Sequence, residues 1–219
     1  MDTSAFWKGD FGDNYTMRCR GIKPVASNVV LFEKILKGIE INSILELGSN
    51  IGLNLMALSG MYPEAEMAAV DINSGAVQEL RRNMPKVEVF EQSIMDFRPD
   101  KQWDLVMTKS VLIHIPPERL DEVYTIMFNS SSEYILLAEY YSPSPVEVMY
   151  RGYSGKLFKR DFAGEMLDRF PLTLVDYGFA YHRDASPQDD LNWFLMKKNT
   201  PTRNVGVTDA EVNNGISSH

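Results

Sequence analysis

The sequence predicts a mixed α/β domain built on a mostly parallel sheet with crossover helices, and three observations carry this. Between Ile41 and Tyr141, five apolar strand-like runs are separated by helical or loop segments, the rhythm of strand–crossover–strand units. Gly48 and Gly52 follow directly on the first run, where a strand must turn into a helix. Further on, LTLVDYGFAY and DDLNWFLMKK flank the loop HRDASPQ and read as an antiparallel pair. The expected sheet therefore has seven strands, mostly parallel, with an antiparallel last strand.

The elements follow in order. The first 21 residues are rich in aromatic, Gly and Asp residues and do not read as a regular element; residues 1–26 are expected to form an arm or lid, packed by Phe6, Trp7 and Phe11. Ser27 is the expected N-cap of VVLFEKILKG, with Val29, Val30, Phe32, Ile35 and Leu36 at helical spacing and Gly38 as the stop. INSILEL is a strand, IGLNLMALSGM a helix, AEMAAVDI a strand, and SGAVQELRRNM a helix with Pro85 just beyond it. KVEVFEQ and WDLVMTKS are strands; PPERLDEVYTIMFNS is a helix that begins on prolines, where they are tolerated. SEYILLAEYY is the fifth strand, and DFAGEMLDRF is a helix before the final pair. The main domain spans 27–198, with an insertion near 141–160, and the polar stretch 199–219 reads as a flexible tail.

Composition narrows the function. A chain of 219 residues suits one domain, and 44% hydrophobic with 24% charged residues is ordinary for a soluble one. The net charge of -8 argues against a nucleic-acid partner, which requires a basic surface. Cys19 is the only cysteine, so no intrachain disulfide or cysteine metal cluster is expected, and no metal cofactor. Neither a signal peptide nor a run long enough to span a membrane is present, which predicts a cytoplasmic protein without a membrane partner.

The glycine turn, ILELGSNIGLN, holds the chemistry. A phosphate-cradling loop would need Gly-Lys-Ser/Thr, but Gly52 is followed by Leu53 and Asn54. A dinucleotide fingerprint would need a middle glycine, and Asn50 stands there. Glu46 beside the turn disfavours an anion. Asp71 lies about twenty residues further on, where a carboxylate accepts hydrogen bonds from ribose hydroxyls. A nucleoside carrying a positive group and no phosphate matches, and S-adenosylmethionine is such a ligand.

ILELGSNIGLN, AAVDIN, EQSIMDF and WDLVMTKSVLIHI together resemble the ordered motifs of class I S-adenosylmethionine-dependent methyltransferases, from about Ser27 to Lys197. FWKGDFGDNY, ASNVVLF, TKSVLIHI, AEYYSPSPVEVMYRGYSGKLFKRDFAGEM and PQDDLNWFLM further resemble the pseudaminic acid biosynthesis-associated methylases. The resemblance implies the Rossmann-like sandwich of that class, with S-adenosylhomocysteine as product. It implies that Glu46, Gly48, Asn50 and Gly52 line the methionine part of the cofactor. Asp71 would bind ribose, Ile72, Ser93 and Ile94 would surround the adenine, and Thr108 would lie under the methionyl end. It also implies a small-molecule acceptor such as a nonulosonic acid or nucleotide-linked sugar. An amino acid or other natural-product carboxylate or amine is an alternative acceptor, and a non-catalytic cofactor-binding protein an alternative role.

His114 is the candidate base, at the mouth of the expected cleft. The other acceptor candidates are Tyr15 in the arm, Lys109 after the fourth strand, and Glu139 and Tyr140 at the end of the fifth. Tyr150, Arg151 and Lys159 belong to the insertion, whose basic side chains suit a carboxylate or phosphate.

Overall fold

The computed structural model describes residues 4–18 and 22–199. Cys19 and nearly all of the expected tail lie outside the described residues.

The N-terminal arm differs from expectation. It forms two helices, α1 (Ser4–Lys8) and α2 (Asp10–Arg18). Gly9 N–H donates to the Ala5 carbonyl and Asp13 N–H to the Gly9 carbonyl, so hydrogen bonds carry the chain from one helix into the next across Gly9. Asp10 and Asp13 occupy the first turn of α2, where negative charge favours a helix. The aromatic spacing concealed these helices because their rings contact one another rather than a continuous core. The next helix, α3, spans Ile22–Ile35, so Ser27 lies inside it rather than capping it, and it crosses the domain boundary expected after residue 26. Pro24 sits in its first turn, where a missing N–H removes no intrahelical bond.

The alternation then follows the sequence closely: β1 (Ser43–Leu47), α4 (Leu53–Met61), β2 (Glu66–Asp71), α5 (Ser74–Asn83), β3 (Glu88–Glu91), β4 (Trp103–Lys109), α6 (Leu120–Ser130) and β5 (Ser131–Glu139). The insertion is a separate hairpin of β6 (Val146–Tyr150) and β7 (Tyr153–Lys159). Its turn places Arg151 at φ 50° and Gly152 at φ 86°, as tight hairpin turns require. α7 (Phe162–Arg169), β8 (Leu172–Ala180) and β9 (Leu191–Lys198) complete the domain.

The seven-stranded sheet has the order β3-β2-β1-β4-β5-β9-β8, and β9 runs antiparallel to both its neighbours. One core joins Leu45, Leu47 and Val106 to α6 and α7; the other joins Ile44, Leu105 and Met107 to α3 and α4. This alternation follows from the period of two along each strand. It puts Glu46 on the same side as Ile44, towards α3 and α4. Chain order reverses between β1 and β4, and at such a switch point the crevice beyond the strand ends receives ligands. Among the described residues, no helix is long and apolar enough to cross a membrane.

Candidate active site

A cavity of about 600 Å³ opens at that switch point. Its floor is the turn after β1. Gly48 has φ 77°, and its N–H donates to the Val70 carbonyl at 2.7 Å. A Cβ there would fall 2.6 Å from a Val111 methyl carbon, so glycine is required on two counts. Asn50 takes a left-handed backbone at φ 48°, which asparagine tolerates better than most residues. Its N–H donates to Asp71 Oδ2 at 2.7 Å, while Asp71 Oδ1 accepts from Asn73 N–H at 2.8 Å. Burial raises the Asp71 carboxyl above its ordinary pKa, opposed by these backbone donors.

Three buried oxygens at this floor have no hydrogen-bond partner among the described residues: Glu46 Oε2, Ser49 Oγ and Asn50 Oδ1. Burying such groups unpaired is costly, so they mark a place for a ligand or water. Glu46 is 1% exposed, and desolvation pushes its carboxyl up to about 8. Asn54 Nδ2, donating to Glu46 Oε1 at 2.6 Å, favours the charged form against that rise.

Of the residues expected to hold the cofactor, the structure brings Gly48, Asn50, Asp71, Ile72, Ser93 and Ile94 to the cavity wall. Glu46 and Thr108 lie buried behind it. Gly52, at φ 81°, starts α4 and packs on Leu80 instead of lining the cavity. Ser93 accepts from the Met95 N–H and starts the short turn 94–96.

The acceptor candidates separate more widely. Tyr15, Lys109 and His114 line the cavity. Glu139 is 2% exposed and accepts from the N–H groups of Val111, Leu112 and Ile113. It thus holds the turn after β4 from below, and burial pushes its carboxyl up to about 7. Tyr140 donates to Asp189 at 3.1 Å and carries the Lys159 ammonium over its ring. Arg151 lies over the Tyr150 ring, and Tyr150 in turn packs on His114. The basic hairpin side chains therefore rest on aromatic faces and are absent from the cavity lining.

His114 sits where the floor meets the covering helices. Its Nδ1 donates to the Lys156 carbonyl at 2.6 Å, which leaves the acceptor lone pair on Nε2. The ring lies 4.6 Å from Trp7 and 4.9 Å from Tyr150, centroid to centroid. Burial pushes its pKa down to about 4, so it is neutral across the physiological range.

The roof comes from α1 and α2, with Trp7 and Tyr15 facing the cavity. Asn73 pegs it: Nδ2 donates to the Trp7 carbonyl at 3.1 Å and to Asp13 at 2.8 Å, while Oδ1 caps α5. Phe6 and Phe11 join the roof to Tyr153 of the hairpin. A far wall, unforeseen from sequence, is formed by Asn28, Asn54, Gln188 and Asp189. The available signal was a polar residue within each apolar helical run, Asn28 in ASNVVLF and Asn54 in IGLNLMAL. Among the described residues no cluster of His, Cys, Asp or Glu could hold a metal.

Comparison with known proteins agrees with this geometry. The chain is similar in structure to magnesium protoporphyrin IX methyltransferase from Synechocystis PCC 6803, with 13% identity, a TM-score of 0.67, and 90% of this chain and 100% of that one covered. An S-adenosylmethionine-dependent methyltransferase from Clostridium acetobutylicum ATCC 824 gives 11%, 0.62, 87% and 98% in the same order. The glycopeptide N-methyltransferase MtfA, complexed with S-adenosyl-L-homocysteine, gives 12%, 0.63, 88% and 99%. Such identities establish a shared fold. No curated protein sequence matches the chain. Residues 44–130, from β1 to the end of α6, match the family model described as a methyltransferase domain, and the chain shares the fold of the three solved methyltransferases.

Proposed function

We propose that this protein transfers the methyl group of S-adenosylmethionine to a small polar metabolite. The observation that carries the reading is the Asp71 carboxylate, fixed by the Asn50 and Asn73 N–H groups at the edge of a roofed cavity. Each Asp71 oxygen keeps a further lone pair with which to accept from a ribose hydroxyl. The unpaired oxygens of Glu46, Ser49 and Asn50 suit a cationic amino-acid end, and the residues present fit the cofactor. Asp71 would hold the ribose, Ile72, Ser93 and Ile94 the base, and Gly48 to Asn50 the methionyl part. When bound, the cofactor supplies a methyl group already activated on a sulfonium, so the protein's main task is orientation.

The roof of α1 and α2 favours a small acceptor over a macromolecule. The family resemblance favours a nonulosonic acid or nucleotide-linked sugar, and Lys109 is a cation on the cavity wall that suits an acidic group. His114 is proposed to orient the acceptor. A neutral ring with a pKa near 4 is a weak base, so the part proposed for it is to shape the acceptor's place beside Trp7 and Tyr150. His114→Ala is expected to lower turnover while leaving cofactor affinity nearly unchanged; wild-type turnover would remove the role. Calorimetric titration with S-adenosylhomocysteine tests the reading as a whole, and no binding by the wild type would sink it. Mass spectrometry of extract incubated with enzyme and isotopically labelled cofactor would then identify the acceptor.

A further inference from the structure

The far wall contains a connected row of side-chain amides. Gln188 Nε2, in the loop between β8 and β9, donates to Asn28 Oδ1 at 3.0 Å. Asn28 Nδ2, from α3, donates to Asn54 Oδ1 at 2.8 Å. Asn54 Nδ2, in the first turn of α4, donates to Glu46 Oε1 at 2.6 Å. Every amide in the row points its donors the same way, from the loop towards the buried acid. Hydrogen bonds so aligned polarise one another, and in a buried setting each fixes the rotamer of the next.

The row has a definite end point. Glu46 is buried on the α3–α4 side of the sheet, and its second oxygen has no partner among the described residues. Asn28, Asn54 and Gln188 all line the cavity, whereas Glu46 stands just behind them. Both positive groups of S-adenosylmethionine, its ammonium and its sulfonium, lie in its methionyl half, and the unpartnered Glu46 Oε2 is a buried acceptor behind that half of the floor. We infer that Gln188 is a positioning residue for the donor site: through Asn28 and Asn54 it orients Glu46 towards the amino-acid end of the cofactor. The inference rests on the methyltransferase reading above. It makes the β8–β9 loop, remote in sequence from the glycine turn, a determinant of cofactor affinity.

The two halves of the ligand separate this role from simple wall-building, because adenosine contains the nucleoside but neither positive group. Calorimetry on the full chain with S-adenosylhomocysteine, which keeps the ammonium, and with adenosine provides the readout. Gln188→Ala is expected to weaken S-adenosylhomocysteine about tenfold, the effect of one hydrogen bond to a charged network, and to leave adenosine unchanged. Gln188→Glu, of equal length but without the donor, should behave like Gln188→Ala. In a Glu46→Gln background, Gln188→Ala should have little further effect, since coupled residues are not additive. Equal weakening of both ligands, no weakening of S-adenosylhomocysteine, or a full tenfold loss persisting in the Glu46→Gln background would each overturn the inference. A wild-type chain that binds neither ligand would instead overturn the methyltransferase reading beneath it.

Discussion

The floor and the roof of the cavity are held by different forces. The floor is main chain: Gly48, Ser49 and Asn50 are tied to Val70 and Asp71 by N–H donors within the parallel sheet. The roof is side chain: Phe6, Trp7, Phe11 and Tyr15 touch one another, His114 and the hairpin through ring contacts. α1 has no buried residue, whereas β1 is buried along nearly its whole length. Segments with few buried contacts open at lower free energy than core strands. The floor is therefore expected to keep its shape, and the roof to open at lower cost.

The largest effect should come from breaking the floor. Asp71→Ala leaves the Asn50 and Asn73 N–H groups without their acceptor and removes the proposed ribose contact; S-adenosylhomocysteine affinity should fall about a hundredfold by calorimetry. A smaller loss, comparable to that of a roof substitution, would erase the distinction. Gly48→Ala attacks the same floor through geometry, because it combines a strained φ with a clash on Val111. A destabilisation of about 2–3 kcal/mol is expected, read as a fall in melting temperature of several degrees.

Trp7→Ala tests the roof. The melting temperature should barely move, while the acceptor's Michaelis constant should rise about tenfold, in line with loss of a large aromatic contact. A large fall in melting temperature would show that the roof belongs to the core. The response to pH has opposite signs at the two places. Glu46 is raised from 4.5 to about 8, so the folded state holds its proton where the unfolded state has lost it, and stability declines as pH rises across that window. His114 is lowered from 6.5 to about 4, so stability declines as pH falls from 6.5 towards 4. Melting curves from pH 4.5 to 8 should show Glu46→Gln gaining on the wild type as pH rises and His114→Gln gaining as pH falls. Parallel curves would refute both assignments.

The legibility of the chain followed the same division. The strands and the crossover helices α4 to α7 were readable because apolar runs recur along the chain with turn residues between them. Gly48 and Asp71 were readable because their roles depend on local spacing along the chain. The helices α1 and α2 were missed, since their segment is rich in aromatic, Gly and Asp residues and is held by contacts made elsewhere, such as Asn73 on Trp7 and Asp13. Ser27 resembled a cap because it precedes an apolar run, but the helix had already begun at Ile22. The basic residues Arg151 and Lys159 suggested an acidic acceptor, yet their cations lie over tyrosine rings. Charge is visible in a sequence, whereas the direction in which a hairpin presents it is not. The amide row was hidden for a related reason, because its members come from three separate elements.

The bond between Gln188 and Asn28 joins positions 160 residues apart in the chain. Closing so long a loop costs conformational entropy before any contact repays it, so contacts of this kind tend to form late in folding. The sheet and its floor are then in place before the far wall is complete. A ligand that reaches both will grip the native state more than the transition state that leads to it. Bound cofactor is thus expected to slow unfolding strongly and to change the folding rate little, making occupancy of the site a source of kinetic persistence.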